Sequence, residues 1–214
     1  PSRLGGEGRV SALAGIDFDR NGIRREVAIL SRFQGRETIS FYRDLLSDDS
    51  LLPPSATISL GVSAANNVVG MAAIAAGESE NGDNLAILRA EGKDFYLYIH
   101  RVPFRGKEDS APPAAIRIPG LHRGSHLLGL AVLDADGDGV GGDPVLVERT
   151  GGGEYWLHAF RLTELEGSDG YDLEYVNSAA LPESTGGLLP NRIAAVDLNR
   201  DGYFNELIIF SLKK

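Results

Sequence analysis

The chain has 214 residues, 43% of them hydrophobic and 24% charged, the balance of an ordinary globular chain with material for one sizeable core. A formal net charge of -9 argues against the clustered Lys and Arg that phosphate-backbone binding requires, so nucleic acid is not an expected partner. The absence of cysteine excludes a disulfide framework, a thiolate metal site and a thiol nucleophile, which leaves oxygen and histidine as metal ligands.

Residues 1–10 are polar and Gly-rich, with no apolar signal region. The most apolar window, residues 68–76, is about half of the ~20 residues that a membrane helix needs, so no membrane span is expected. With 27 glycines, 10 prolines and short runs of Val, Ile and Leu, the composition suits many short strands separated by turns.

In chain order, four segments line up: AGIDFDRNGIRREVAIL from Ala14, MAAIAAGESENGDNLAIL from Met71, LAVLDADGDGVGGDPVLV from Leu130 and IAAVDLNRDGYFNELIIF from Ile193. Their anchors, Asp17, Ala75, Asp134 and Asp197, are separated by steps of 58, 59 and 63 residues, a period of repeated small sheets and too long for leucine-rich or ankyrin units. An apolar strand rich in small residues leads into each anchor (residues 13–16, 71–75, 130–133 and 193–196), and a second strand follows each loop (27–31, 85–89, 145–148 and 207–211). The first three units continue with a turn at Gly35, at Gly92 or at the glycine run 151–153. A third, aromatic strand comes next, carrying Ile39 and Phe41, then Phe95, Tyr96 and Tyr98, then Trp156, His158 and Phe160, and a fourth covers 56–60, 114–118 and 173–176.

Four antiparallel strands per unit predict an all-β chain built from β-propeller blades, with Ala and Gly on the innermost strand where backbones crowd the axis. The repeats run approximately 11–61, 62–119, 120–180 and 181–214, the last ending after its second strand. The expectation is a fragment of a larger propeller, a ring completed by a second chain, or a compact four-bladed ring.

The first loop reads Asp17-x-Asp19-x-Asn21-Gly22-x-x-x-Glu26, the third Asp134-x-Asp136-x-Asp138-Gly139-x-x-x-Asp143, and the fourth Asp197-x-Asn199-x-Asp201-Gly202-x-x-x-Glu206. Oxygen side chains at alternate positions, followed by a glycine that permits a sharp turn, wrap a loop around a hard cation, and calcium accepts 6–8 oxygens. The carbonyls of Ile23, Val140 and Tyr203 add one backbone ligand each, and Glu26, Asp143 and Glu206 are the closing acids. Asp, Asn and Gly also make turns without an ion. Three copies at identical offsets favour calcium, because crowded carboxylates repel unless a cation neutralises them. Three Ca²⁺ ions offset six of the nine net negative charges. The second unit has Ala75, Gly77 and Ser79 at the leading ligand positions, with Glu78, Glu80 and Asp83 out of phase, and is expected to hold no metal. An EF-hand does not fit, since Ala28, Val145 and Ile208 stand where its closing Glu belongs and the flanks read as strands.

Through these loops the chain resembles the FG-GAP or VCBS repeat family, found in the propeller of integrin alpha subunits and in many bacterial surface and secreted proteins. The resemblance covers nearly the whole chain. That family's loop, D-x-[DN]-x-[DN]-G-x-x-D, joins the first and second strands of a blade. It implies calcium on Asp17, Asp19 and Asn21, on Asp134, Asp136 and Asp138, and on Asp197, Asn199 and Asp201. The closing acid here comes one residue later than in the family, and Asn205 takes the family position in the fourth loop. The resemblance implies a calcium-stabilised, non-catalytic binding or adhesion module, extracellular or at the cell surface, for a protein or glycan ligand. The alternative is the propeller domain of a secreted enzyme acting on polysaccharides.

Other candidates carry less. His122 and His126 are four apart but lie in the Gly-flanked loop HRGSH and not on a helix, which argues against a metal pair. His100 and His158 fall on third strands and read as surface or packing residues, and Tyr96, Tyr98, Tyr155 and Trp156 read as packing between neighbouring sheets more than as platforms for sugar rings. Residues 77–81 approach the nucleophile-elbow pattern but lack its last glycine. Zinc-protease, P-loop and dinucleotide motifs are absent, so no motif-bearing enzyme class has support.

Overall fold

The computed structural model describes residues 8–17, 26–43, 54–62, 67–75, 83–102, 113–134, 142–165, 170–182, 188–196, 198 and 206–213. Among them every regular element is a strand, and no helix is long and apolar enough to cross a membrane. The strands form four antiparallel sheets in chain order. The first contains β1 (Arg9–Ile16), β2 (Glu26–Phe33), β3 (Arg36–Tyr42) and β4 (Ala56–Val62). The second contains β5 (Val68–Ala75), β6 (Asp83–Glu91), β7 (Asp94–His100) and β8 (Ala114–Arg117). The third contains β9 (His126–Leu133), β10 (Asp143–Arg149), β11 (Tyr155–Glu164) and β12 (Tyr171–Ala180), and the fourth β13 (Leu188–Val196) and β14 (Glu206–Lys213).

The all-β expectation holds, and all the strands but β8, which stops at Arg117 and not at 118, run longer than the apolar cores that announced them. The ladder continues wherever a partner backbone is available, so polar ends such as Arg9 and Glu91 are drawn in. The turn expected at Gly35 is a two-residue hairpin in which Gln34 and Gly35 both have positive φ, the conformation that matches the twist of the flanking strands.

The first ladder of each sheet is built alike. Ile16 faces Glu26, Ile74 faces Asn84, Leu133 faces Asp143 and Val196 faces Glu206. Each ladder is then bulged at the same distance from the loop, beyond which Ser31, Arg89, Glu148 and Ser211 occupy equivalent positions.

The sheets stack in sequence order through three apolar cores. Alternation along β6 sends Leu85 and Ile87 into a core with Ile16, Leu30 and Phe41 of the first sheet, and Ala86 and Leu88 into a core with Leu130, Leu146 and Phe160 of the third. A smaller core joins Ala131 and Val147 to Ile193 of the fourth sheet. Sheets covered on both faces read as continuous apolar runs, which is why β6 and β10 are buried residue after residue while β2 alternates. The outer faces of the end sheets are open: Leu13 on β1 is 65% exposed and Phe210 on β14 is 53% exposed.

The first strands β1, β5, β9 and β13 pack side by side in that order, and residues from all four, Leu13, Met71, Leu130 and Ile193 among them, line one cavity of about 330 Å³. Here small residues are a steric requirement. A Cβ on Gly70 would stand 3.0 Å from the Leu130 Cβ and 3.1 Å from the Leu130 backbone nitrogen. At the seam between the first two sheets, Arg89 Nη2 donates to Glu37 Oε2 at 2.6 Å, both side chains being buried. The second Glu37 oxygen has no hydrogen-bond partner among the described residues.

Two outcomes follow from this packing. Gly70→Ala should lower stability by about 1–3 kcal/mol, whereas Gly15→Ala, whose added Cβ meets nothing within 4 Å, should change it by less than about 1 kcal/mol. Urea midpoints of the two variants provide the comparison. Arg89→Ala should cost about 3–5 kcal/mol by leaving the Glu37 charge buried and unpaired, and Arg89→Ala with Glu37→Ala should recover part of that loss in the same measurement.

Candidate functional site

Of the expected calcium ligands, Asp19, Asn21, Ile23, Asp136, Asp138, Val140, Asp197, Asn199, Asp201 and Tyr203 lie outside the described residues, as do Gly77, Glu78, Ser79 and Glu80 of the second unit. The bases of the loops are described. Glu26 and Asp143 are buried and Glu206 is half-buried, each at the first position of the second strand. The Asp143 carboxylate accepts from the Leu162 N–H at 3.4 Å, and that of Glu206 from the Leu198 N–H at 3.3 Å. Asp134 directly follows β9. The Asp17 N–H donates to Asp83 Oδ2 at 2.8 Å, so an acid out of phase in its own unit supports the loop base of the preceding one.

A second constellation arises where the third sheet meets the segment that enters it. Glu148 is at the repeat position held by Arg89 in the second sheet, and from there its carboxylate faces the connector between β8 and β9. Glu148 is 0% exposed. The His122 backbone N–H donates to Oε1 at 2.7 Å, and His122 Nδ1 and His158 Nε2 each stand 2.7 Å from Oε2. An ionised carboxylate only accepts, so both ring nitrogens carry the proton in these contacts. Burial pushes the Glu148 carboxyl up, but hydrogen bonds from Ser125, His122 and His158 outweigh it and hold the group below the ordinary carboxylate range.

β11 delivers His158, 2% exposed, with Nδ1 lacking a partner among the described residues. The connector delivers His122, whose exposed ring lies 5.4 Å from that of Trp156. On the solvent side a cleft of about 550 Å³ is lined by Phe95, Arg117, His122, Arg123 and Ser125. Among the described residues, these two imidazoles and one carboxylate form a cluster whose ligand atoms all lie within 4.8 Å of one another.

The histidines thus assort differently from their spacing in the chain. His126 begins β9, opposite Arg149, and is exposed; the partner of His122 is His158, reached through Glu148. His158 is no surface residue, and it does more than pack. The available signal was an acid inside the apolar strand VLVER, one residue past the last buried valine. No protein-family model matches the chain, and no curated protein or solved structure is significantly similar to it.

His100, at the end of β7, is 9% exposed, and burial, with the Arg89 charge as a lesser cause, pushes its imidazole down to about 4. The folded state keeps this ring neutral, while the unfolded chain protonates it below about 6.5. The unfolded state therefore binds more protons between these values. The contribution is fully present above pH 6.5 and is lost as pH falls toward 4, by up to about 3 kcal/mol. Urea midpoints measured from pH 7 to pH 4.5 should fall less steeply for His100→Gln than for the natural chain.

Proposed function

We propose that the chain is a set of propeller blades of the FG-GAP kind, braced by calcium, acting as a non-catalytic extracellular module that binds a protein or glycan. The observation that carries the calcium reading is the common base of the three carboxylate loops. Each joins the first strand to the second, each closing acid stands at the first position of the second strand, and each is paired with the residue before the anchor Asp. In the second sheet, whose loop lacks the pattern, the corresponding position is Asn84, and its side chain amide donates to the Tyr171 hydroxyl of the next sheet at 2.9 Å. An ion in the loop between two strands holds the angle of the turn and ties folding to calcium concentration.

Support for the blade reading comes from the stacking of four antiparallel sheets by their faces, with all four first strands bordering one cavity. The open apolar faces at Leu13 and Phe210 are then covered in the working assembly by a neighbouring sheet of the same kind. The solution mass in calcium separates the forms of closure: a monomer fits a four-bladed ring, and a dimer fits two half-rings.

At calcium tenfold above its dissociation constant, each of three sites adds about 1.4 kcal/mol. Chelation should therefore lower the melting midpoint by on the order of 10 °C. Asp136→Ala should remove one of three bound ions, counted by equilibrium dialysis. An unchanged melt on chelation overturns the proposal.

A further inference from the structure

We propose that His122, Glu148 and His158 form a binding site for a divalent transition metal, zinc above all, distinct from the calcium loops. The three ligands come from the β8–β9 connector, β10 and β11, and the two ring nitrogens stand 2.7 Å from the same carboxylate oxygen, so they converge on one point. Two imidazoles and a carboxylate are a set that zinc takes with one further position open, whereas calcium and magnesium require shells of oxygen. The donors therefore choose the metal.

Charge gives the site its reason. Glu148 has no exposure, and among the described residues the groups within ion-pair distance of its carboxylate are these two imidazoles. A divalent ion among the three atoms neutralises the buried carboxylate and exchanges two N–H···O bonds for three coordination bonds. Tetrahedral bonds of about 2.0–2.2 Å set ligand atoms roughly 3.3–3.5 Å apart, so each nitrogen–oxygen pair must open by roughly 0.6–0.8 Å.

His122 has the freedom to make that shift. Its side chain is 47% exposed, its connector carries Gly120 and Gly124 at φ of +74° and +72°, and the 550 Å³ cleft beside it gives an ion a route in. His158 is the fixed ligand. Among the described residues its Nδ1 makes no hydrogen bond that would hold the ring in one tautomer, so moving the proton there to free Nε2 for a metal breaks none of the described contacts. With no acceptor for Nδ1 among the described residues, the site should also be about 10–100-fold weaker than one whose histidines are fully supported.

The test is calorimetric titration of the metal-stripped full chain with Zn²⁺ in buffer saturated with Ca²⁺. One zinc ion per chain is expected, with binding at least ~10-fold weaker in His122→Asn and in His158→Gln, and unchanged in His126→Asn. Co²⁺ in place of zinc should give the intense visible absorption of a four-coordinate site in the natural chain and in His126→Asn, and not in His122→Asn. Circular dichroism checks the fold of each variant. Should His158→Gln fail to fold, the exposed His122 and its His126 control carry the test. Absence of zinc binding, zinc binding that calcium abolishes, equal binding in His122→Asn, or equal loss in His126→Asn each overturns the proposal.

Discussion

The close approach of the first strands is the constraint on which the rest of the structure depends. β5 and β9 lie so near that a Cβ on Gly70 would stand 3.0 Å from that of Leu130, tighter than ordinary contact, and the same strands pack on β1 and β13 at their other sides. Once these strands sit side by side, the sheets hanging from them must meet face to face. The two middle sheets become apolar on both faces and the end sheets keep one face open. The carboxylate loops, each leaving the same end of a first strand, then recur at one register position in every sheet that carries them.

Within that frame one position is used for charge. Five residues beyond Glu26, Asn84, Asp143 and Glu206, and past the bulge, the second strands of the first and fourth sheets have Ser31 and Ser211, that of the second Arg89 and that of the third Glu148. Both charged residues are buried, Arg89 at the seam between the first two sheets and Glu148 beside the connector that enters the third, and their satisfaction differs. Arg89 reaches a single oxygen of Glu37, and the other has no partner among the described residues. Glu148 receives bonds at both oxygens, from Ser125, from the His122 backbone and from two imidazoles. Incomplete pairing of Glu37 among the described residues is a cost carried by the surrounding cores, whereas the network at Glu148 ties the incoming connector to the sheet it enters.

Much of the fold was legible in the chain because its signals are local. Short apolar runs on either side of each loop marked the first and second strands, aromatic residues marked the third, and the glycines at 35, 92 and 153 stand where the backbone takes positive φ. The strand ends were not legible, since a ladder extends as far as its partner does, whatever the polarity of the residues. The loop acids announced themselves by offset, but the contact of Asp17 with Asp83 joins units 66 positions apart and left no local trace.

The sequence by itself determined the all-β character and the even spacing of the three acidic segments, because short apolar runs, turn glycines and the offsets of acids are properties of neighbours along the chain. Only the tertiary structure decided which faces are covered, which buried charges meet, and that His122 partners His158 and not His126. Those outcomes depend on how a connector and two strands cross in space. The three residues involved stand at 122, 148 and 158, and no periodicity links such positions until the sheet brings them to one carboxylate.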